Sequence, residues 1–97
     1  MTQIKNYKMY IDGKWIESSS GKKIETLNPE NNKVWAMVPE ANEKDVDLAV
    51  NAAQKAFENS WSKIHPRDRA KYLRELANQL RQNAEHLGKI ETIDTGK

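Results

Sequence analysis

Apolar and polar positions alternate in short runs over the first forty residues, and this alternation has the period of a β-strand. The two clearest runs, 9–11 and 14–16, flank the dipeptide Asp12-Gly13. Asp-Gly between two such runs is typical of a two-residue β-hairpin, because both turn positions need a positive φ and these residues tolerate it. The pattern therefore predicts a hairpin at this point of the chain.

Two further runs, 23–27 and 34–38, are each followed closely by a proline. Proline has no N–H for a strand ladder, so it marks the end of a strand. We expect three or four short antiparallel strands between residues 7 and 38, which make region 1–40 a β-ribbon. An isolated ribbon of this size is only marginally stable. The ribbon is therefore expected to need a partner surface.

After Asn42 the apolar period changes from two residues to 3.6, which predicts an amphipathic helix. The apolar face of this helix consists of Val46, Ala49, Val50, Ala53, Ala56 and Phe57. Asn42 is a favoured N-cap residue, and Asp45 follows three positions later, where its carboxylate can complete a capping box. The start of the helix is thus predicted at Asn42.

A second helix is predicted from Pro66, because proline is favoured in the first turn of a helix. Its stripe is Arg69, Leu73, Leu76, Ala77, Leu80, Ala84 and Leu87. Asn83 precedes Ala84 of that stripe and is a candidate N-cap, so we expect the helix to end and a new one to start there. Gly96 supplies a C-terminal stop. Region 41–97 is therefore predicted to be helical, with two or three amphipathic helices depending on the break.

Composition limits the size and the class of the protein. Ninety-seven residues amount to one small domain at most, and 37% hydrophobic with 31% charged residues is a polar composition for a self-contained globule. The chain is therefore expected to be part of something larger. Sixteen Lys and Arg against fourteen Asp and Glu leave a net charge of +2, too small to indicate a nucleic-acid or membrane partner. Since no run approaches the ~18 apolar residues of a membrane span, we expect a soluble, cytoplasmic protein.

Few residues have the chemistry of a catalytic site. The chain has no cysteine, which excludes a disulfide framework, a thiolate metal site and a cysteine nucleophile within it. His65 and His86 lack paired carboxylates at ligand spacing, so we interpret them as a helix-entry residue and a solvent-facing helix residue. The four glycines are too scattered for a phosphate-binding loop. No catalytic or cofactor-binding residue is assigned, and the three tryptophans are interpreted as packing residues.

Five motifs, taken in order and with their spacing, resemble the opening of an aldehyde dehydrogenase. They are Tyr10-Ile11-Asp12-Gly13-Lys14-Trp15, the pair Asn28-Pro29, the helix segment 45–57, the set Trp61, Arg69 and Leu73, and the run Glu91-Thr92-Ile93-Asp94-Thr95-Gly96-Lys97. The resemblance covers nearly the whole chain from about Tyr7. The fold class it implies is α/β, aldehyde dehydrogenase-like, as the N-terminal part of a longer protein.

The resemblance implies an enzyme that oxidises an aldehyde to a carboxylic acid with NAD or NADP and assembles as a homo-oligomer. In that family the early strands accompany an oligomerisation region, and region 41–97 packs on a cofactor domain of Rossmann type. The family's nucleophile is a cysteine thiolate and its base a glutamate, and by resemblance both lie beyond Lys97. The 97 residues alone are therefore expected to be inactive.

One family site falls partly inside the chain. Members that resemble betaine aldehyde dehydrogenase hold a monovalent cation, K⁺ or Na⁺, with backbone carbonyls before the Asn-Pro pair and with an aspartate. The corresponding positions are Thr26, Leu27 and Asp94. Oxygen ligands of this kind suit a hard cation. Further ligands would come from beyond the chain, so no cofactor or cation is expected for the 97 residues alone. The alternative, that Asp94 simply ends its helix, stays open.

Two other functions are compatible with the sequence. The chain could be a stand-alone remnant that acts as an interaction module, pairing its exposed strands with an intact aldehyde dehydrogenase subunit. It could also be a small basic nucleic-acid binder whose affinity falls steeply with salt. Acidic residues interrupt the basic residues of segment 61–82, which indicates a solvated helix face rather than a nucleic-acid-binding surface.

Overall fold

The computed structural model describes residues 3–97, so Met1 and Thr2 of region 1–40 lie outside it. Strands occupy the first part of the described residues and helices the second, and a 3₁₀ turn at Trp61–Lys63 joins the first two helices. The strands are β1 (Lys5–Asn6), β2 (Met9–Ile11), β3 (Lys14–Ile16), β4 (Lys23–Asn28) and β5 (Lys33–Pro39), and the helices are α1 (Glu43–Asn59), α2 (Pro66–Gln82) and α3 (Ala84–Thr95).

The predicted hairpin is confirmed as the pair β2–β3, which forms a two-stranded sheet. Asp12 and Gly13 have φ values of 54° and 74°, the left-handed pair that a primed hairpin turn requires. Tyr10 lies opposite Trp15, and their rings are 4.8 Å apart at 57°. Trp15 thus packs on Tyr10, as expected of a packing residue, but this contact does not bury the indole, which is 67% exposed.

The remaining strands form a second sheet in the order β1-β5-β4. Strand β5 is antiparallel to β4, as predicted, but parallel to β1, with Lys5 opposite Ala36. The expected single antiparallel ribbon is thus divided into two sheets, one of them mixed. A two-residue strand is too short to show a hydrophobic period, which is why the sequence pattern did not predict β1. Ala36 lies on the central strand and is fully buried.

A register shift interrupts the β4–β5 ladder at its middle. Thr26 lies opposite Ala36, whereas the next residue, Leu27, lies opposite Val34. Trp35 is therefore the extra residue of a β-bulge, without a partner of its own on β4. Bulges bend a strand and redirect side chains, and this one determines where the Trp35 indole lies.

The start of α1 has the predicted capping box. Asn42 Oδ1 accepts a hydrogen bond from Asp45 N, and Asp45 Oδ2 accepts one from Asn42 N, both at 3.0 Å. The same carboxylate accepts the backbone N–H of Ser19 at 3.0 Å, which joins the helix to the loop before β4. The Asn42 backbone bond, followed by the Ser19 bonds, holds the pKa of Asp45 below its ordinary value, against the opposing effect of burial. Asp45 is 3% exposed.

Helix α2 begins as predicted, with Pro66 in its first turn and His65 as its N-cap, whose Nδ1 accepts from Arg67 N at 3.1 Å. The predicted restart is confirmed, since α3 begins immediately after Asn83. The side chain of Asn83 does not cap α3, however. Its Nδ2 donates back to the Gln79 carbonyl at 2.8 Å, so it closes α2 instead.

The chain is far more open than a compact protein of its length. Its radius of gyration is 16.9 Å, against about 12.5 Å expected for 97 compact residues. Its accessible surface is 8156 Å², about 2,500 Å² above the value typical of a compact 11.2 kDa monomer. The helix stripes remain exposed, including Val50 on α1 and Leu73 on α2, so the helices do not bury these stripes on one another. Within residues 3–97, no helix has both the length and the hydropathy to cross a membrane.

Candidate functional site

The residues predicted to hold a cation meet where the end of α3 packs against β4. Asp94 lies in the last turn of α3, and its Oδ1 accepts a hydrogen bond from the Thr26 hydroxyl. The same oxygen accepts the Trp35 indole Nε1–H at 3.1 Å. Thr26 and Asp94 are 68 positions apart in sequence, so this contact is a product of the tertiary fold.

Leu27 directly follows Thr26 on β4. It lies at the bulge, opposite Val34, where the regular hydrogen-bond ladder is disturbed. Backbone groups at a bulge are less completely paired than those of a regular ladder. The structure thus places Thr26 in contact with Asp94, with Leu27 as the next residue of β4.

Gly96 allows α3 to end close to the sheet. Its φ is 80°, the left-handed conformation typical of a helix C-terminal glycine, and its N–H donates to the Thr92 carbonyl at 2.9 Å. A Cβ at this position would lie 3.2 Å from Cγ of Pro29. The conformation and the close approach both favour glycine, and together they place the last turn of α3 against the β4–β5 turn.

The donor set fits a hard monovalent cation in kind. It consists of oxygen atoms, a carboxylate and neighbouring carbonyls, which hard cations prefer over nitrogen or sulfur. Asp94 Oδ2 makes no hydrogen bond among the described residues, so one carboxylate oxygen remains available. Residues 3–97 contain no cluster of three or more His, Cys, Asp or Glu side chains arranged for a metal ion. A full oxygen coordination shell would therefore need donors besides these three residues.

A cleft of about 750 Å³ lies beside the site, between the β1-β5-β4 sheet and α3. Its walls are largely apolar and include Trp35, Ile90 and Ile93, with Lys33 and Lys89 also contributing. His86 lines the same cleft and is exposed, in agreement with its interpretation as a solvent-facing helix residue.

Sequence reasoning missed Trp35 and Tyr7 as parts of the site. Trp35 was recognised only as a packing residue of a strand, and its contact with Asp94 depends on the register shift of β5. The Tyr7 ring meets the Trp35 ring edge-on, with centroids 6.1 Å apart at 71°. Both aromatic residues can be read from the sequence, but no local sequence pattern predicts that Tyr7 and Trp35 contact each other.

The chain matches the aldehyde dehydrogenase family over residues 15–97. An aldehyde dehydrogenase of Aspergillus niger is 47% identical over 89 residues, covering 92% of this chain and 18% of that protein. Aldehyde dehydrogenase family 2 member C4 of Arabidopsis thaliana is 40% identical, covering 100% of this chain and 20% of that protein. The chain thus spans about a fifth of the length of these relatives.

Solved structures agree with this match. Aldehyde dehydrogenase from Bacillus cereus, as a G224D mutant, superposes with a TM-score of 0.92 at 38% identity, over 96% of this chain and 19% of that one. Betaine aldehyde dehydrogenase from Staphylococcus aureus, in complex with NAD⁺, gives a TM-score of 0.88 at 37% identity, over 93% of this chain and 18% of that one. The two sheets and three helices therefore have the arrangement of one segment of a larger α/β fold.

Proposed function

Because the chain belongs to the aldehyde dehydrogenase family, we propose that it is the N-terminal scaffold and subunit-contact part of an enzyme that oxidises an aldehyde to a carboxylic acid with NAD or NADP. The single observation that carries the proposal is the amount of accessible surface left open, which includes the apolar stripes of the helices. An excess of ~2,500 Å² on one partner is on the scale of a permanent interface.

The open surface has the distribution expected of a scaffold. The apolar stripes of α1 and α2 are exposed along their length, as Val50 and Leu76 illustrate. The β2–β3 hairpin is a separate sheet that contacts α1, and it leaves Trp15 uncovered. We propose that the helices pack on a cofactor domain, and that the strands take part in contacts between identical subunits.

The proposal assigns catalysis to other parts of the enzyme. The chain has no cysteine, so it cannot supply the thiolate nucleophile that family membership implies. Its scattered glycines provide no loop for a dinucleotide phosphate. Use of NAD is supported by the NAD⁺ complexes named for the S. aureus and B. cereus structures. The lack of any disulfide supports a cytoplasmic location as part of the same proposal.

We also propose that Thr26 and Leu27, through their carbonyls, and Asp94, through its carboxylate, hold K⁺ or Na⁺. The cation would supply a fixed positive charge between the end of α3 and β4. The contact between Thr26 and Asp94, and the oxygen-only donor set, support this assignment. The chain's own residues orient the carboxylate, whichever further oxygens complete the shell.

Activity in trans tests the scaffold proposal. The purified 97-residue chain is expected to produce no NADH from any aldehyde, and it is expected to restore NADH production to an aldehyde dehydrogenase that lacks the corresponding segment. Val50→Asp places a charge on the apolar stripe of α1 and should abolish the restoration. Asn51→Asp changes the opposite face of α1 and serves as the matched control. NADH production by the chain alone, or equal rescue by both variants, would refute the proposal.

A second function is favoured by the strand edges. In the sheet β1-β5-β4, the outer edge of β4 has no neighbouring strand among the described residues. An exposed edge can accept a strand from another chain. As a stand-alone interaction module, the chain would co-purify with a full-length aldehyde dehydrogenase subunit. A scaffold segment would instead bind only a truncated subunit that lacks the equivalent segment.

A further inference from the structure

The Trp35 indole reaches Asp94 because β5 carries one more residue than β4 at the bulge. In a regular ladder, side chains alternate between the two faces, so Trp35 would lie on the face opposite to Ala36 and its partner Thr26. Trp35 and Thr26 instead both donate to Asp94. The bulge therefore puts both donors on the face that meets α3.

Both donors use one oxygen of the carboxylate. Oδ1 accepts from the Thr26 hydroxyl and from Trp35 Nε1, whereas Oδ2 accepts no hydrogen bond within residues 3–97. A carboxylate offers about four lone-pair sites. The two hydrogen bonds thus occupy the lone-pair sites of Oδ1. They fix the orientation of the carboxylate, and the lone pairs of Oδ2 remain free of hydrogen bonds within residues 3–97.

The indole ring is itself held in place. The Tyr7 ring packs edge-on against the Trp35 ring at 6.1 Å. Tyr7 N in turn donates to the Met37 carbonyl at 3.0 Å, which attaches Tyr7 to the strand that carries Trp35. The indole N–H of Trp35 is therefore already in position before a cation binds, so little side-chain conformational freedom is lost on binding.

We propose that Trp35 is a positioning residue for the monovalent cation at Asp94, an inference that rests on the cation site proposed above. Its N–H holds Oδ1 so that Oδ2 faces the cation together with the carbonyls of Thr26 and Leu27. An indole N–H only donates, so Trp35 orients the ligand without competing with it for the cation. Donors behind a metal ligand commonly affect affinity by about tenfold or more when removed.

The test compares Trp35→Phe with Trp61→Phe in the 97-residue chain bound to an aldehyde dehydrogenase that lacks the corresponding segment, so that oxygen donors from outside the chain are present. Both substitutions remove an indole N–H and keep an aromatic ring, and Trp61 packs on Tyr72 at 6.0 Å, away from Asp94. KCl is titrated at constant ionic strength against choline chloride, and the carboxyl carbon of Asp94 is followed by NMR. We expect K⁺ binding to weaken by about tenfold in Trp35→Phe and to stay unchanged in Trp61→Phe.

The outcomes distinguish the role of Trp35 from the existence of the cation site. Equal K⁺ affinity in Trp35→Phe and the wild type would overturn the role of Trp35 and leave the cation site standing. A wild-type complex without a saturable response to K⁺ would overturn the cation site, and the role of Trp35 with it.

A cation-free measurement covers the case in which Trp35→Phe fails to fold. The Trp35 indole N–H proton signal is expected to move in Asp94→Asn, because a neutral amide is a weaker acceptor than a carboxylate. The Trp61 signal should not move. An unmoved Trp35 signal would show that the hydrogen bond is not formed in solution, and the inference would be wrong.

Discussion

Alanine at the two glycines of the last helical segment is expected to change stability in opposite directions. Gly88 lies within α3, and a Cβ there would meet no atom within 4 Å. Gly96 ends the same helix with a φ of 80°, and a Cβ there would lie 3.2 Å from Cγ of Pro29. The two substitutions are chemically identical, so any difference between them comes from the backbone conformation and the neighbouring atoms.

The magnitudes follow from those two environments. Ala exceeds Gly in helix propensity by about 0.8–1 kcal/mol, so Gly88→Ala should stabilise the chain by about that amount. A side-chain-bearing residue in the left-handed region costs about 1–2 kcal/mol, and in Gly96→Ala the Pro29 ring must also move by a few tenths of an ångström. The variants should therefore differ by about 2 kcal/mol, or roughly 30-fold in the unfolding constant.

Equilibrium urea unfolding, followed by far-UV circular dichroism, measures both free energies of unfolding. Near the thermal midpoint, 1 kcal/mol corresponds to about 4–8 °C for a domain of this size, which provides a second measurement. The control is Gly88→Ala combined with Gly96→Ala, whose effects on this helix should largely cancel. If Gly96→Ala were as stable as Gly88→Ala, the reasoning about the left-handed cap and its approach to Pro29 would be refuted.

Two further predictions concern the start of α1. Asn42→Ala removes the N-cap acceptor and should reduce the free energy of unfolding by about 1 kcal/mol in urea unfolding, whereas Asn42→Ser should retain most of it; equal loss in both would contradict the capping role. Because the pKa of Asp45 is lowered on folding, its stabilising contribution is complete above its ordinary value of 3.8 and is lost as the pH falls through the lower folded value. Asp45→Asn should therefore have a lower free energy of unfolding than the wild type at neutral pH, and the difference should shrink in acid. A difference that is independent of pH would show that the charge on Asp45 is not what holds Ser19 and Asn42.

Several elements could be predicted because their causes are local. The turn at Asp12-Gly13, the capping box at Asn42 and the helix starting at Pro66 each depend on backbone preferences within three or four residues. The expected cation ligands came from family resemblance, and the structure brings Thr26 and Asp94 into contact. The role of Asn83 was predicted less well, because an amide side chain can close one helix as readily as it can begin the next.

The sequence by itself determined where the helices and the longer strands form, since the period of apolar positions and the φ demands of Gly, Pro, Asn and Asp are properties of neighbouring residues. Only the tertiary structure decided that β1 runs parallel to β5, that Trp35 is the extra residue of a bulge, and that its indole meets Asp94. Strand register is set by pairing between distant segments, and a shift of one residue exchanges the faces of every side chain beyond it. The exposed stripes of α1 and α2 likewise follow from the tertiary arrangement, because amphipathic spacing specifies an apolar face without specifying what covers it.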